Sequence, residues 1–134
     1  MSLSPVEQAL VQAARAARAH AYAPYSGYAV GAAVLTDDGR VFAGCNVENA
    51  SYGLSLCAER VAVFNAVASG ARRLVAAAVC TPDGGTPCGA CRQVLLEFTN
   101  APDQFPVWVV SPDRVMARYT LAELIPHGFR LAPS

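Results

Sequence analysis

The chain has 134 residues, 54% of them hydrophobic and 15% charged, and its ten acidic residues balance its ten basic ones. This length suits one domain, so we expect a single domain over residues 1–134. The zero net charge disfavours a nucleic-acid partner, because binding phosphates usually requires a basic surface. No apolar run approaches the roughly 18–20 residues of a membrane-spanning helix, and the amphipathic N-terminus is unlike a signal peptide. We therefore expect a cytoplasmic protein without a membrane partner.

The first predicted elements are a helix and a β-hairpin. The helix begins at Ser4, a capping residue followed by Glu7 in capping-box position, and runs to about Tyr22. Two apolar runs, 29–36 and 40–47, flank an Asp-Asp-Gly turn, which is a hairpin signal. The apolar share of the chain is high for its size, so we also expect burial between subunits.

The rest of the chain alternates between helices and strands. In order we predict a loop over 48–56, a helix from Cys57 to Ser69, a strand over 73–81, a helix over 88–99, a strand over 105–110, and a short helix capped by Thr120. Strands interleaved with helices indicate an α/β fold. We expect three layers, α-β-α, with a central mixed sheet of about five strands and helices on both faces.

Five cysteines in a chain without a signal peptide favour metal binding or catalysis over disulfides. Cys57 opens one predicted helix, and Cys88 and Cys91 form a C-x-x-C pair that opens another. Helix N-termini stabilise thiolates, and three thiolates make a soft site for which Zn²⁺ is the natural ion. Three protein ligands leave the fourth position open, as in catalytic zinc sites. Either histidine, His20 or His127, stays open as a fourth ligand that the fold could supply.

Two charged residues follow Cys57 directly. Glu59 beside an open zinc site can take a proton from water and return it elsewhere, which is general acid–base catalysis. Arg60 can donate to a thiolate and offset the net negative charge of Zn²⁺ bound by three sulfurs. The alternatives are ordinary buried thiols or a redox-active C-x-x-C pair, but a redox pair leaves Cys57 and Glu59 without a role.

The motifs together carry a family resemblance. The stretches YSGYAVGAAV, GCNVENASYG, CAER, PCGACRQVL and LIPHGF follow one another along nearly the whole chain. In this order and spacing they resemble the small cytidine deaminases, which are zinc-dependent nucleoside deaminases. The resemblance implies hydrolytic deamination of cytidine and 2′-deoxycytidine to uridine and 2′-deoxyuridine with release of ammonia, in pyrimidine salvage. A blasticidin S deaminase-like enzyme and a non-catalytic zinc-stabilised binding module stay as alternatives.

The resemblance also implies roles for individual residues. One zinc per chain is held by Cys57, Cys88 and Cys91, and Glu59 moves protons among water, the ring nitrogen and the leaving ammonia. Asn46 and Glu48 match the residues that grip the ribose hydroxyls of the nucleoside substrate.

Two aromatic residues extend the implied pocket. Tyr28 stands where the family commonly has a phenylalanine that packs on the pyrimidine, and its hydroxyl needs a partner or solvent. The family resemblance also implies a homotetramer with shared active sites. In that assembly Phe129 matches an aromatic residue that reaches the pocket of an adjacent subunit.

Overall fold

Five strands form one mixed sheet in the computed structural model, which describes residues 2–131. The strands are β1 Gly31–Thr36, β2 Val41–Cys45, β3 Leu74–Cys80, β4 Pro106–Val110 and β5 Val115–Thr120. Their order across the sheet is β2-β1-β3-β4-β5. Strands β3 and β4 run parallel, and the other neighbours run antiparallel. The predicted mixed sheet is confirmed, whereas the predicted domain ends at Met1 and Ser134 lie outside the described residues.

Helices cover both faces of this sheet. They are α1 Pro5–Arg18, α2 Ala58–Ala68, α3 Gly89–Glu97 and the short α4 Leu121–Leu124. Helix α1 begins at the predicted capping box of Ser4 and Glu7, and α4 begins at a capping box headed by Thr120. Two short 3₁₀ turns lie at Tyr52–Leu54 and Pro102–Gln104. Among the described residues no helix is both long and apolar enough to cross a membrane.

The alternation of β3 divides the core into two parts. Ala76 and Ala78 face α1 in one buried cluster, while Ala77 and Val79 face α2, α3 and α4 in the other. Side chains of a strand alternate between the two faces of a sheet, so a strand buried on both faces has a continuous apolar sequence. The structure therefore has the three layers that the sequence predicts.

Close packing on the edge strand holds α2 against the sheet. A Cβ atom added at Gly44 in β2 would lie 2.5 Å from the backbone nitrogen of Ala62, so the helix lies directly on the strand. Buried Ala58, Ala62 and Ala66 form the helix surface towards the sheet. Small residues on both elements thus bring the N-terminus of α2, where Cys57 is the cap, close to the sheet.

Two elements differ from the sequence prediction. Helix α1 ends at Arg18 rather than near Tyr22, because Tyr22 pairs with the chain after β2: its N–H donates to the Asn46 carbonyl at 2.9 Å. Strand β5 was not predicted individually. It is a sheet edge that carries Met116 and Arg118 and has no continuous apolar run, so its sequence resembles a loop.

Candidate metal and active site

Two helix N-termini bring the three predicted thiols together. Cys57 is the N-cap of α2, Cys88 is the N-cap of α3, and Cys91 lies in the first turn of α3. The Sγ of Cys88 lies 3.8 Å from that of Cys57 and 3.4 Å from that of Cys91. The three sulfurs all lie within 4.8 Å of one another.

This donor set fits zinc. Tetrahedral zinc with sulfur ligands at roughly 2.3 Å requires sulfurs about 3.8 Å apart, close to the spacings found. Thiolates are soft donors, and helix N-termini favour their negative charge. Within residues 2–131, no histidine, carboxylate or further cysteine joins this cluster, so neither His20 nor His127 supplies a fourth ligand from the same chain. A tetrahedral ion held by these three thiolates alone would have one coordination position left for water or substrate.

Hydrogen bonds within the cluster shift the pKa values of two of the thiols in opposite directions. Hydrogen bonding from the Cys91 thiol lowers the pKa of Cys57 to about 5, with a further contribution from Arg60. The same interaction with Cys57, together with burial, raises the pKa of Cys91. A bound divalent cation favours the thiolate form of every sulfur in such a cluster.

Arg60 contacts the cluster from the first turn of α2. Its Nη2 donates to the Cys57 Sγ at 3.5 Å, and this interaction raises the pKa of Arg60. A guanidinium that donates to a sulfur can offset part of its negative charge, which is the role expected of Arg60 from the sequence. Arg60 lies beside the thiols rather than among the residues that line the pocket.

Glu59 is a buried carboxylate next to the sulfurs. Its side chain is 6% exposed and lines the same pocket as Cys57 and Cys88. Burial raises the pKa of Glu59 to about 7, and the Cys57 thiolate adds to the rise. A carboxylate with a pKa near neutrality both accepts and donates protons readily at physiological pH. A nearby cation would favour its ionised form.

The pocket itself has a volume of about 340 Å³, within the range of small-ligand sites. Its lining residues fall into groups by their chemistry. One group, hereafter the thiol end, consists of Cys57, Glu59 and Cys88, and Cys91 belongs to the same sulfur cluster. A second group, hereafter the polar end, consists of Ser26, Tyr28, Asn46 and Glu48. The remaining lining residues are Val30, Ser55, Leu56, Ala58, Val79, Thr81, Gly85 and Thr86.

Asn46 and Glu48 line the pocket, and they also hold its backbone. The Asn46 Oδ1 accepts from the Val30 N–H at 2.9 Å, and its Nδ2 donates to the Tyr28 carbonyl at 2.8 Å. The Glu48 Oε1 accepts from the backbone N–H groups of Tyr25 and Ser26. The Ser26 hydroxyl donates to Glu48 Oε2 and thereby lowers the pKa of this carboxyl.

The two predicted aromatic residues occupy different places. Tyr28 lines the pocket, is 37% exposed, and donates its hydroxyl to Asp83 Oδ1 at 2.5 Å. Burial and this hydrogen bond raise the pKa of Tyr28. Phe129 is 67% exposed and does not line the pocket of its own chain. The structure therefore brings Tyr28, but not Phe129, to the site within one chain.

Sequence reasoning missed several polar residues of the site. Ser26 and Thr81 line the pocket, but isolated hydroxyl residues beside a turn carry no distinctive pattern. Arg92, whose role the sequence leaves open, donates to the Pro87 carbonyl at 2.7 Å, the Leu124 carbonyl at 2.7 Å and the Thr86 hydroxyl at 3.0 Å. Its place directly after the C-x-x-C pair is the one signal for this role: it holds the chain that enters Cys88.

Comparisons with known proteins agree with this geometry. Residues 4–104 match a protein-family model described as cytidine and deoxycytidylate deaminase zinc-binding region. A cytidine deaminase of Mycobacterium tuberculosis is 58% identical over 117 residues, which cover 86% of this chain and 83% of that protein. A cytidine deaminase of Halalkalibacterium halodurans is 46% identical over 124 residues, covering 91% of this chain and 92% of that protein.

A solved structure shares the fold over almost the whole chain. The crystal structure of cytidine deaminase from Burkholderia pseudomallei superimposes with a TM-score of 0.84 at 46% identity, covering 95% of this chain and 100% of that one. The match to a zinc-binding region and the cluster of three thiols identify the cofactor as zinc, one ion per chain. The chain belongs to the cytidine and deoxycytidylate deaminase family.

Proposed function

We propose that this protein is a zinc-dependent cytidine deaminase, a hydrolase that converts cytidine and 2′-deoxycytidine to uridine and 2′-deoxyuridine and releases ammonia. The observation that carries the proposal is one pocket in which a buried carboxylate, Glu59, adjoins three thiols suited to zinc. The relatives named cytidine deaminase support the same reaction. We further propose that the enzyme works in cytoplasmic pyrimidine salvage, where free nucleosides are the substrates.

In this proposal the thiols hold the cofactor and Glu59 moves the protons. Cys57, Cys88 and Cys91 would hold zinc, which when bound would make a nucleophilic water available near neutral pH. Glu59 takes one proton from the attacking water and delivers it to N3 of the cytosine ring as C4 becomes tetrahedral. Glu59 then delivers the second proton of the water to the amino group, which leaves as ammonia. All atoms of water and cytidine thereby appear in uridine and ammonia.

Arg60 tunes the charge of this centre in the proposed mechanism. Three thiolates around a divalent ion leave a net negative charge, which weakens activation of a water. The guanidinium of Arg60, 3.5 Å from the Cys57 sulfur, withdraws part of that charge through its hydrogen bond. Arg60 also favours the thiolate form of Cys57 and so favours metal binding.

The polar end of the pocket suits a nucleoside better than a nucleotide. Asn46 and Glu48 offer amide and carboxylate groups to the ribose hydroxyls, and the ring of Tyr28 offers an aromatic surface to the base. No lysine, arginine or histidine is among the residues that line the pocket in the described chain. A phosphate on the ribose would therefore meet the Glu48 carboxylate without a compensating cation. For the same reason, and because net charge is zero, we propose no nucleic-acid substrate.

We also propose a homotetramer in which Phe129 completes the pocket of an adjacent subunit. The exposed ring of Phe129 needs an apolar environment, and an aromatic side chain supplied in trans would exclude water and add stacking area. Mixed tetramers test this directly. Phe129→Ala chains and Glu59→Gln chains should each be impaired, and verified hybrids should regain activity. A fully active monomer, or no recovery in hybrids, would contradict the shared site.

The reaction itself is tested by the loss of cytidine absorbance on addition of purified protein. We expect deamination of cytidine and 2′-deoxycytidine, its abolition by a zinc chelator, and its return with added zinc. Free cytosine and cytidine monophosphate should be far poorer substrates. Preference for blasticidin S would support the related deaminase instead. Bound zinc without ammonia release from any of these compounds would support a non-catalytic binding module.

A further inference from the structure

One wall of the pocket is the loop that joins β3 to α3, residues 81–87, hereafter the wall loop. Thr81, Gly85 and Thr86 of this loop line the pocket, and the loop leads directly into Cys88. The Thr81 Oγ1 accepts hydrogen bonds from the backbone N–H of Gly84 at 2.7 Å and of Gly85 at 2.8 Å. These bonds close the tip of the loop but do not fasten it to the opposite side of the pocket.

Tyr28 supplies that fastening. Its hydroxyl donates to Asp83 in the wall loop at 2.5 Å, across 55 positions of sequence. Gly85 lies directly beside the same hydroxyl, since a Cβ atom added there would be 3.1 Å from the Tyr28 oxygen. The Tyr28 hydroxyl therefore lies against the wall loop and donates its hydrogen bond to it.

The backbone of Tyr28 is itself held firmly. Its carbonyl accepts from Asn46 Nδ2 at 2.8 Å, and its N–H donates to the Ser26 hydroxyl at 3.0 Å. The Ser26 hydroxyl donates in turn to Glu48. Hydrogen bonds thus connect Glu48, Ser26 and Tyr28 in series to the wall loop, which leads into Cys88.

We propose that Tyr28 is a positioning residue whose hydroxyl, through Asp83, holds the wall loop in place and so sets the affinity of the pocket for its nucleoside. The identity of the nucleoside rests on the function proposed above. Phenylalanine at this position would keep the aromatic ring but leave the loop without this fastening. A preorganised wall lowers the ordering cost of binding, so the effect belongs chiefly to substrate affinity.

The test is a double-mutant cycle on zinc-loaded protein. Tyr28→Phe and Asp83→Ala should each raise the KM for cytidine about three- to tenfold, the typical net effect of losing one solvent-exposed hydrogen bond. The kcat should change less than about twofold, as when binding rather than chemistry is affected. The double mutant should resemble Asp83→Ala, because both substitutions break the same bond and only Asp83→Ala also removes the 3.4 Å hydrogen bond from Thr81 Oγ1 to Asp83 Oδ1. Asp83→Asn keeps an acceptor oxygen and should stay closer to wild type, and Tyr119→Phe in β5 is the matched control.

Hydrogen exchange gives a readout that needs no substrate. The amides of Gly84 and Gly85 should exchange faster in Tyr28→Phe and Asp83→Ala than in wild type or Tyr119→Phe. Unchanged exchange, an unchanged KM in Tyr28→Phe, or additive effects in the double mutant would overturn the proposal. A KM effect of Tyr28→Phe without one of Asp83→Ala would also overturn it, because the hydroxyl would then act on the ligand directly. If wild type does not deaminate cytidine, the proposed function fails, and the exchange rates alone decide whether Tyr28 holds the loop.

Discussion

At the thiol end of the pocket, sulfur atoms and a carboxylate are crowded together, whereas at the polar end Asn46 and Glu48 bond to neighbouring backbone. Hydrogen bonding from Cys91 lowers the pKa of Cys57 to about 5, and burial raises that of Glu59 to about 7. The polar end instead resembles a well-satisfied turn, in which Glu48 binds the N–H groups of Tyr25 and Ser26. The thiol end therefore brings together groups with shifted pKa values, which a bound cation would stabilise in their ionised forms. The polar end supplies a surface that is ordered before a ligand binds. Substitutions at the two ends should accordingly affect different kinetic constants.

The largest expected effect is that of Glu59→Gln at the thiol end. The amide keeps the volume of the side chain but cannot carry protons, so kcat should fall by more than the roughly 10²–10⁴ typical of one acid–base group. Zinc content and KM should stay near wild-type values. Metal analysis and steady-state kinetics measure both, with Glu97→Gln on the exposed side of α3 as a control. Turnover close to wild type would remove Glu59 from the mechanism.

Cys88→Ser tests whether the thiol end depends on the metal. A hydroxyl is a poor ligand for a soft site, so bound zinc should fall well below one ion per chain and activity should fall with it. Cys45→Ser, which replaces a thiol outside the cluster, should retain zinc. Full zinc occupancy in serine variants of Cys57, Cys88 and Cys91 alike would contradict the assigned ligands.

At the polar end, Glu48→Gln should weaken binding rather than chemistry. Loss of a charged acceptor should raise the KM for cytidine roughly tenfold or more, with a smaller effect on kcat. Cytosine has no ribose, so its kcat/KM should change little. The ratio of the two specificity constants should therefore shrink in the variant. An equal loss of kcat/KM for cytosine and cytidine would mean that Glu48 does not act through the ribose. That outcome would contradict the proposed division of roles between the thiol end and the polar end.

The smallest effect concerns the pH at which zinc is lost. Hydrogen bonds from Cys91 and, less strongly, from Arg60 lower the pKa of Cys57 from 9.0 to about 5, so its thiolate persists as pH falls towards 5. Arg60→Gln should raise the pKa of Cys57, and protons should then compete with zinc at higher pH. Zinc retained after dialysis across the range from pH 4 to about pH 8 should show an upward shift of the midpoint. An unchanged midpoint would mean that Arg60 does not tune the sulfurs.

The two ends also differed in how well the sequence predicted them. The thiol end follows from two short motifs, because CAER and PCGAC place their residues at helix starts that capping and periodicity reveal. The polar end depends on tertiary placement. Nothing local relates Tyr28 to Asp83, which are 55 positions apart, or predicts that Asn46 holds the Tyr28 carbonyl. The family resemblance indicated Asn46, Glu48 and Tyr28 but not what they would contact.

The fold was predictable to a similar extent and for similar reasons. Buried elements such as β3 have continuous apolar runs, because both of their faces are covered. The edge strand β5 is not fully buried, so it accommodates polar and charged residues, and its sequence does not resemble that of a buried strand. Helix α1 ends before the residue that the sequence predicts, because the pairing of Tyr22 with the chain after β2 is a long-range contact that local sequence does not reveal.

The placement of the thiols on two helices has a consequence for folding as well. Cys57 and Cys88 are 31 positions apart, so an ion bound to both closes a loop that contains α2 and β3. Such a cross-link reduces the conformational entropy of the unfolded chain in the way that a disulfide does. Unfolding must then either release the ion or retain a tethered, partly ordered chain. The metal site would thus also cross-link the middle of the polypeptide.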